Sequence, residues 1–163
     1  KRILSINEIV DSLEHIETLI KSVNPGIQFI YTVSPVRHVK DGFVENQRSK
    51  AHLNSAVHQF VEKHSKISYF PSYELMMDEL RDYRFYNEDM LHPNQVAIDY
   101  IWQRFQEVWL DDETMTEMKN IDTIQKGLAH KPFNPSSEAH LDFLNKLKIK
   151  QEELIKRFPF MHF

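Results

Sequence analysis

The stretch that decides the fold is Ile27-Gln28-Phe29-Ile30-Tyr31-Thr32-Val33, which lies between the turn Pro25-Gly26 and Ser34-Pro35. It is short and rich in β-branched and aromatic residues, which is typical of a buried parallel strand. Before it, Ser5-Ile6-Asn7-Glu8 has the form of a capping box, and apolar residues then recur at three- and four-residue steps. The order helix, turn, strand predicts the start of an α/β layer.

The same order repeats downstream. A second helix is predicted with one apolar face, a second short strand over residues 67–70 ends at Pro71, and a strongly patterned helix follows Pro93. This alternation predicts an α/β fold with right-handed crossovers. Two parallel strands alone do not make a stable sheet, so we expect further strands from outside these residues or from association of copies.

Composition narrows the class of protein. The 163 residues are 41% hydrophobic and 12% aromatic, enough for one packed domain, and the net charge of −4 comes without a basic run. Nucleic-acid binding is therefore not expected. There is no cysteine and no apolar stretch of about 20 residues, so we expect neither a disulfide framework nor a membrane span, and we expect the cytoplasm or, for a longer parent protein, the periplasm.

The last third has a weaker pattern. It is predicted to be helical, with a break at Lys131-Pro132-Phe133-Asn134-Pro135. We therefore divide the chain into an α/β part over residues 1–110 and a helical C-terminal extension over residues 111–163 that packs on it. The chain opens at Lys1 without an initiator Met or a leader, and we expect that start to be an internal cut in a longer protein.

Asp89-Met90-Leu91-His92-Pro93 is the motif with most chemical content. Pro93 at the first helical position would place His92 near the helix N-cap, at the edge of the sheet where ligands bind. A carboxylate three residues earlier can accept the Nδ1 proton and leave Nε2 as a general base. The alternative is an ordinary surface contact between Asp89 and a capping His92.

Longer strings give the motif a context. Residues 32–38 read Thr-Val-Ser-Pro-Val-Arg-His, residues 69–74 read Tyr-Phe-Pro-Ser-Tyr-Glu, and residues 78–86 read Asp-Glu-Leu-Arg-Asp-Tyr-Arg-Phe-Tyr before Asp89 and His92. In this order and spacing the chain resembles the C-terminal part of the GSCFA family, which is similar to the SGNH (GDSL-like) hydrolases. The resemblance implies a partial flavodoxin-like, three-layer parallel sheet. It also implies a serine esterase or acylhydrolase that acts on small acyl or acetyl esters without a cofactor. In that enzyme Asp89 and His92 would be the aspartate and the histidine of the catalytic triad.

One departure from the family limits this inference. The Gly-Ser-Cys-Phe-Ala string that would carry the nucleophilic serine does not occur in the 163 residues. We therefore expect a fragment without its nucleophile, in which the first three strands of the sheet are missing. Ser34 and Ser72 each follow a strand, but neither has a Gly-x-Ser-x-Gly frame, so we expect both to bond local backbone.

Other polar residues follow the first strand. Ser34, Arg37 and His38 are candidate substrate contacts, and the alternative for Arg37 and His38 is an ion pair with Asp41, Glu74 or Asp82. Three residues are expected to form a buried or half-buried ion network that fixes the loop of Asp89: Arg81, Asp82 and Arg84. His38, Asp89 and His92 could supply nitrogen and oxygen ligands to a metal ion. Their spacing in the sequence does not match that of a metal-binding motif, so we expect no metal.

The rival to the hydrolase is a non-catalytic module. In that interpretation the helical extension and an unpaired strand edge bind a partner, and copies of the chain associate through the edge.

Overall fold

The computed structural model describes residues 2–163, so the expectation about Lys1 lies outside the described residues. The chain forms two compact units, one up to Phe105 and one from Gln106 to Phe163. Compactness alone does not define an independently folding domain. The division into residues 1–110 and 111–163 therefore stays a prediction.

The first unit alternates helices with two short strands, as the sequence pattern predicted. Its elements are α1 (Ile6–Val23), β1 (Phe29–Tyr31), a 3-10 turn (Val39–Asp41), α2 (Phe43–Glu62), β2 (Ile67–Tyr69), α3 (Ser72–Glu74) with a π-helical continuation (Leu75–Glu79), a second 3-10 turn (Tyr83–Phe85) and α4 (Gln95–Trp109), whose last residues belong to the second unit. The capping box of α1 is present, with Ser5 and Glu8 each accepting from the other's backbone N–H.

The two strands pair in parallel, Phe29 opposite Ile67 and Tyr31 opposite Tyr69, and this part of the prediction is confirmed. The predicted flavodoxin-like, three-layer sheet is wrong. Residues 2–163 contain a two-stranded sheet, each strand three residues long, and most of the chain is helical. A three-layer architecture requires a wide sheet covered on both faces. Here only a few residues of each apolar run extend far enough to pair.

One face of the sheet is covered by α2. The ring of Tyr31 stacks on Phe29 and meets Phe60 edge-on, with ring centroids 5.6 Å apart in the second contact. Phe60 is fully buried, and α1 packs against the same helix. A second core cluster of Met76, Leu80 and Ala97 connects the segment after β2 to α4. These contacts fix the segments that carry the candidate site.

The second unit is a pair of helices, α5 (Asp112–Ala129) and α6 (Glu138–Arg157). They bury a cluster of Ile124, Leu147 and Leu154. Gly127 allows the close approach, since a Cβ there would lie 2.6 Å from Leu147 Cδ1. Arg157 bonds the carboxylate of Glu117, which is 8% exposed. Within residues 2–163, no helix has both the length and the apolarity to cross a bilayer.

Candidate functional site

The Asp-x-x-His motif lies on a closed loop between the second 3-10 turn and α4. An isolated antiparallel bridge joins Tyr86 to Pro93. Asn87 N donates to His92 O over 2.8 Å, which closes the loop at its base. At its tip Met90 has a φ of 58°, a left-handed conformation that is uncommon for a residue with a side chain. The loop is therefore a defined structure, held by backbone bonds at both ends.

Asp89 organises this loop. Its Oδ1 accepts from the backbone N–H groups of Leu91 and His92 over 2.8 and 3.0 Å, and its Oδ2 lies 2.6 Å from His92 Nδ1. The backbone bond from His92 is the largest cause that lowers the pKa of Asp89 to about 2, followed by the bond from Leu91. Since an ionised carboxylate only accepts, Nδ1 of His92 carries the proton, and in the neutral ring Nε2 is left with a lone pair.

The predicted relation of His92 to the helix is wrong by two residues. Helix α4 begins at Gln95, and Asn94 caps it, because Asn94 Oδ1 accepts from Ala97 N over 3.2 Å. Asn94 Nδ2 also donates to Arg84 O over 2.7 Å and so fastens the loop's end. The preference of Asn for N-caps was the available signal for this residue. His92 thus stands before the helix, and Asp89 sets its orientation.

His92 faces an open apolar groove of about 740 Å³. Most of its wall is hydrophobic and comes from β1, the residue after β2 and α4: Ile30, Phe70, Ile98, Ile101, Trp102 and Phe105. The side chains of Asp89 and His92 are 43% and 55% exposed, so the pair is in contact with solvent where His92 lines the groove. Within residues 2–163, no serine or threonine hydroxyl is hydrogen-bonded to His92 Nε2. The arrangement can accept a proton but has no nucleophile next to it.

The two serines that follow the strands have structural bonds. Ser34 Oγ accepts from Val36 N over 3.2 Å, a local turn contact. Ser72 is 7% exposed and its hydroxyl donates to Val33 O over 2.9 Å. Ser72 also lines the groove of His92, where its hydroxyl is bonded to Thr32 Oγ1 as well. Ser72 thus ties the end of β1 to the start of α3.

The candidate contacts Ser34, Arg37 and His38 do not converge on one cavity. Arg37 lines a pocket beside α2, and His38 lines a different one that begins at α1. His38 donates its backbone N–H to Asn46 Oδ1 over 2.6 Å. Arg37 reaches the loop, since its Nη1 donates to Met90 O over 3.0 Å. Their substrate contacts stay predictions.

The expected ion network is neither buried nor continuous. Arg81 pairs with Asp78, and Arg84 pairs with Asp82, over 2.7 and 2.9 Å. All four side chains are exposed, between 44% and 76%. The loop is held instead by Asn94 and Arg37, together with backbone bonds. A solvent-exposed ion pair contributes little to the stability of a loop, whereas backbone hydrogen bonds keep the loop in one conformation.

Residues 2–163 contain no group of three or more His, Cys, Asp or Glu side chains placed to hold a metal ion.

Known families match most of the chain. Residues 1–105 match the GSCFA family. The chain belongs to the GSCFA family. Residues 121–163 match the C-terminal domain of GSCFA domain proteins, so the resemblance of the four strings is confirmed and extends to α6. Searches of curated proteins and of solved structures gave no match. Membership of the GSCFA family is thus established by sequence.

Proposed function

We propose that this GSCFA-family chain carries the general base and its orienting carboxylate for a serine ester hydrolase of the SGNH type. The observation that supports it is the 2.6 Å contact between Asp89 Oδ2 and His92 Nδ1, on a loop that two further bonds to Asp89 hold in place. This contact gives His92 the tautomer with a free Nε2, which a base for a serine hydroxyl needs.

The reaction follows from these roles. Nε2 of His92 removes the proton of a serine hydroxyl as its oxygen attacks the ester carbonyl, and Asp89 stabilises the imidazolium that forms. His92 then returns that proton to the leaving alcohol, and water hydrolyses the acyl-enzyme by the same path. The serine comes from the family's Gly-Ser-Cys-Phe-Ala segment, which the 163 residues do not contain. Small acyl or acetyl esters in the cytoplasm are the proposed substrates, and no cofactor takes part.

The decisive experiment measures esterase activity in a protein that joins these residues to the serine segment. With p-nitrophenyl acetate, His92→Ala is expected to lower kcat/KM about 10³- to 10⁴-fold, since a triad loses most of its rate without its base. Asp89→Asn is expected to lower it by a similar factor, because the amide favours the wrong tautomer. His15→Ala is the matched control, an exposed histidine of α1. Equal activity in the His92 and His15 variants would disprove the base role.

The tautomer is measured on the 163-residue chain itself. Imidazole ¹⁵N NMR of neutral His92 is expected to show the proton on Nδ1 in the wild-type chain, and a changed tautomer ratio in Asp89→Asn. A wild-type ring protonated mainly on Nε2 would contradict the proposed geometry before any activity is measured. The same chain is expected not to react with a fluorophosphonate, because it lacks the activated serine.

A second candidate function, a binding and assembly module, is favoured by the groove. Ile30, Ile98 and Trp102 line it and are 41%, 48% and 45% exposed. The sheet has two strands, so β1 leaves one edge unpaired in residues 2–163. Exposed apolar side chains beside an open strand edge favour pairing with another chain, here a second copy.

Light scattering over a concentration series distinguishes the two candidates. Self-association that Ile98→Glu abolishes and Val108→Glu leaves intact would support the assembly module, since Val108 is an exposed residue of α4 outside the groove lining. A monomer at all concentrations would rule out assembly between copies.

A further inference from the structure

We propose that the pocket between α2 and the segment after β2 binds a small organic anion, a carboxylate or a phosphate ester with an aromatic or apolar body. The pocket has a volume of about 440 Å³, within the range of small-molecule sites. Lys50 and Arg37 supply its positive charge. His92 does not line it, and Pro35 is the residue that it shares with the groove, so this is a second cavity whose ligand binding is measured without the hydrolase reaction.

Lys50 is the central observation. It is 7% exposed, and its ammonium donates to the carbonyl oxygen of Ser34 and lies 5.8 Å from the ring centre of Tyr73. Burial lowers the pKa of Lys50. Among residues 2–163, no carboxylate lies within ion-pair distance of it. An ammonium has three donors, and one of them bonds the neutral carbonyl of Ser34. The other two hydrogens and the positive charge have no anionic partner among residues 2–163. A buried charge without a counter-charge is costly, and a bound anion removes that cost.

Arg37, which also lines the pocket, provides a second cation without a carboxylate partner among the described residues. Its guanidinium lies over the rings of Phe43 and Tyr86, 6.0 and 5.8 Å from their centres. One Nη1 hydrogen bonds Met90 O, and the described residues offer no carboxylate to the others. Guanidinium is the group best suited to carboxylate and phosphate oxygens, because its donors match two oxygens at once.

The other charges of the pocket lining are already paired. Asp82 accepts from Arg84, and Arg81 donates to Asp78. These pairs cancel most of their own charge, and Lys50 and Arg37 remain as the uncompensated groups. The field inside the pocket is therefore positive, which selects an anion over a neutral or cationic ligand.

The remaining wall defines the ligand's body. Buried Met76 and Leu80 provide an apolar floor, and Tyr73 and Tyr86 stand beside it as aromatic walls. Aromatic walls favour a flat ring or a short apolar chain over a highly hydrated anion. The expected ligand thus has one oxyanion group at Lys50 and Arg37 and a small hydrophobic portion against Met76 and Leu80.

Calorimetric titration of the 163-residue chain tests the site with three probes. Benzoate represents a carboxylate, phenyl phosphate represents a phosphate ester, and benzamide is the neutral equivalent of benzoate. At least one anion is expected to bind at least ten times more tightly than benzamide, and the tighter anion identifies the natural head group. Absence of binding by both anions, or equal binding of benzamide, would overturn the proposal.

Variants locate the binding. Lys50→Met and Arg37→Gln are each expected to weaken the better anion at least tenfold, and Lys50→Arg is expected to retain most of the affinity. Lys63→Met, at the exposed C-terminal end of α2, is the charge-matched control and is expected to bind like the wild type. Thermal unfolding is measured for each variant, and Arg37→Gln alone is decisive where Lys50→Met does not fold. Wild-type affinity in a folded Arg37→Gln or Lys50→Met chain would refute the assignment.

Discussion

Removing the hydroxyl of Ser72 is expected to destabilise the first unit, because this hydroxyl joins the ends of the two strands. The side chain is 7% exposed and donates to Val33 O over 2.9 Å. Its one hydrogen is used there, so Thr32 Oγ1 is the donor in the second contact. In Ser72→Ala both partners lose a bond. Val33 is 3% exposed, and water does not readily replace Ser72 there.

The magnitude follows from this difference in exposure. Leaving a buried acceptor such as Val33 O unsatisfied costs about 1–3 kcal/mol. Thr32 is exposed and recovers its bond from water, so it adds little. We therefore expect Ser72→Ala to lower the free energy of unfolding by about 1–3 kcal/mol.

Ser34→Ala is the matched control. It is the same substitution at the serine that follows the other strand, where the side chain is exposed and accepts one local bond from Val36 N. Its expected cost is within about 0.5 kcal/mol, the usual range for exposed positions. Urea unfolding followed by circular dichroism and tryptophan fluorescence measures both variants, at equal m-values.

A double-mutant cycle isolates the contact between the two hydroxyls. Thr32→Val and Ser72→Ala are expected to be additive within about 0.5 kcal/mol, because exposed Thr32 recovers its bond to Ser72 from water. If Ser72→Ala costs no more than Ser34→Ala, the buried bond to Val33 does not hold the strand ends together.

Two further perturbations test the second unit and the site loop. Gly127→Ala is expected to lower the free energy of unfolding by about 1 kcal/mol, since a Cβ at 2.6 Å from buried Leu147 forces overpacking that outweighs the gain in helix propensity. In a Leu147→Ala background the same change is expected to be stabilising. A stabilising effect in both backgrounds would show that Leu147 moves freely. Asp89 is expected to titrate near pH 2 in carbon-detected NMR, against 3.8 for an unperturbed group. Its contribution to stability is present above about pH 4 and is lost as the pH falls through 2, so the acid dependence of stability should be shallower in Asp89→Asn; a midpoint near 3.8 would show that the bonds from Leu91 and His92 do not form in solution.

Much of the first unit is readable along the chain because its signals are local. The capping box at Ser5 and Glu8 and the turn before β1 follow from neighbouring residues, and the alternation of helices with strands predicts that β1 and β2 pair in parallel. The Asp-x-x-His contact is local as well, since three residues separate its members. Family membership also follows from strings within the sequence.

The width of the sheet was not readable, because it depends on whether distant segments pair. The apolar run around β1 predicts a strand but does not state how many residues pair or how many strands join, and the flavodoxin-like prediction failed on that point. The ion pairs failed for a related reason. Arg81 and Arg84 each pair with a carboxylate two or three residues away in the sequence. Because all of these side chains are exposed to solvent, they form separate local pairs and no buried network.

By itself, the sequence determined the helices, the two strands, the family and the local pairing of Asp89 with His92, since the signal for each is a motif or a periodicity carried by residues close together in the chain. Three features were decided by the tertiary structure alone. Buried Ser72 bonds Val33 O, Arg37 bonds Met90 O across the fold, and Lys50 is buried without a carboxylate partner among residues 2–163. Burial and the choice of a distant partner are properties of the packed chain. Burial and distant contacts depend on which surfaces pack together, and the periodicity of one helix does not indicate which surface packs against it.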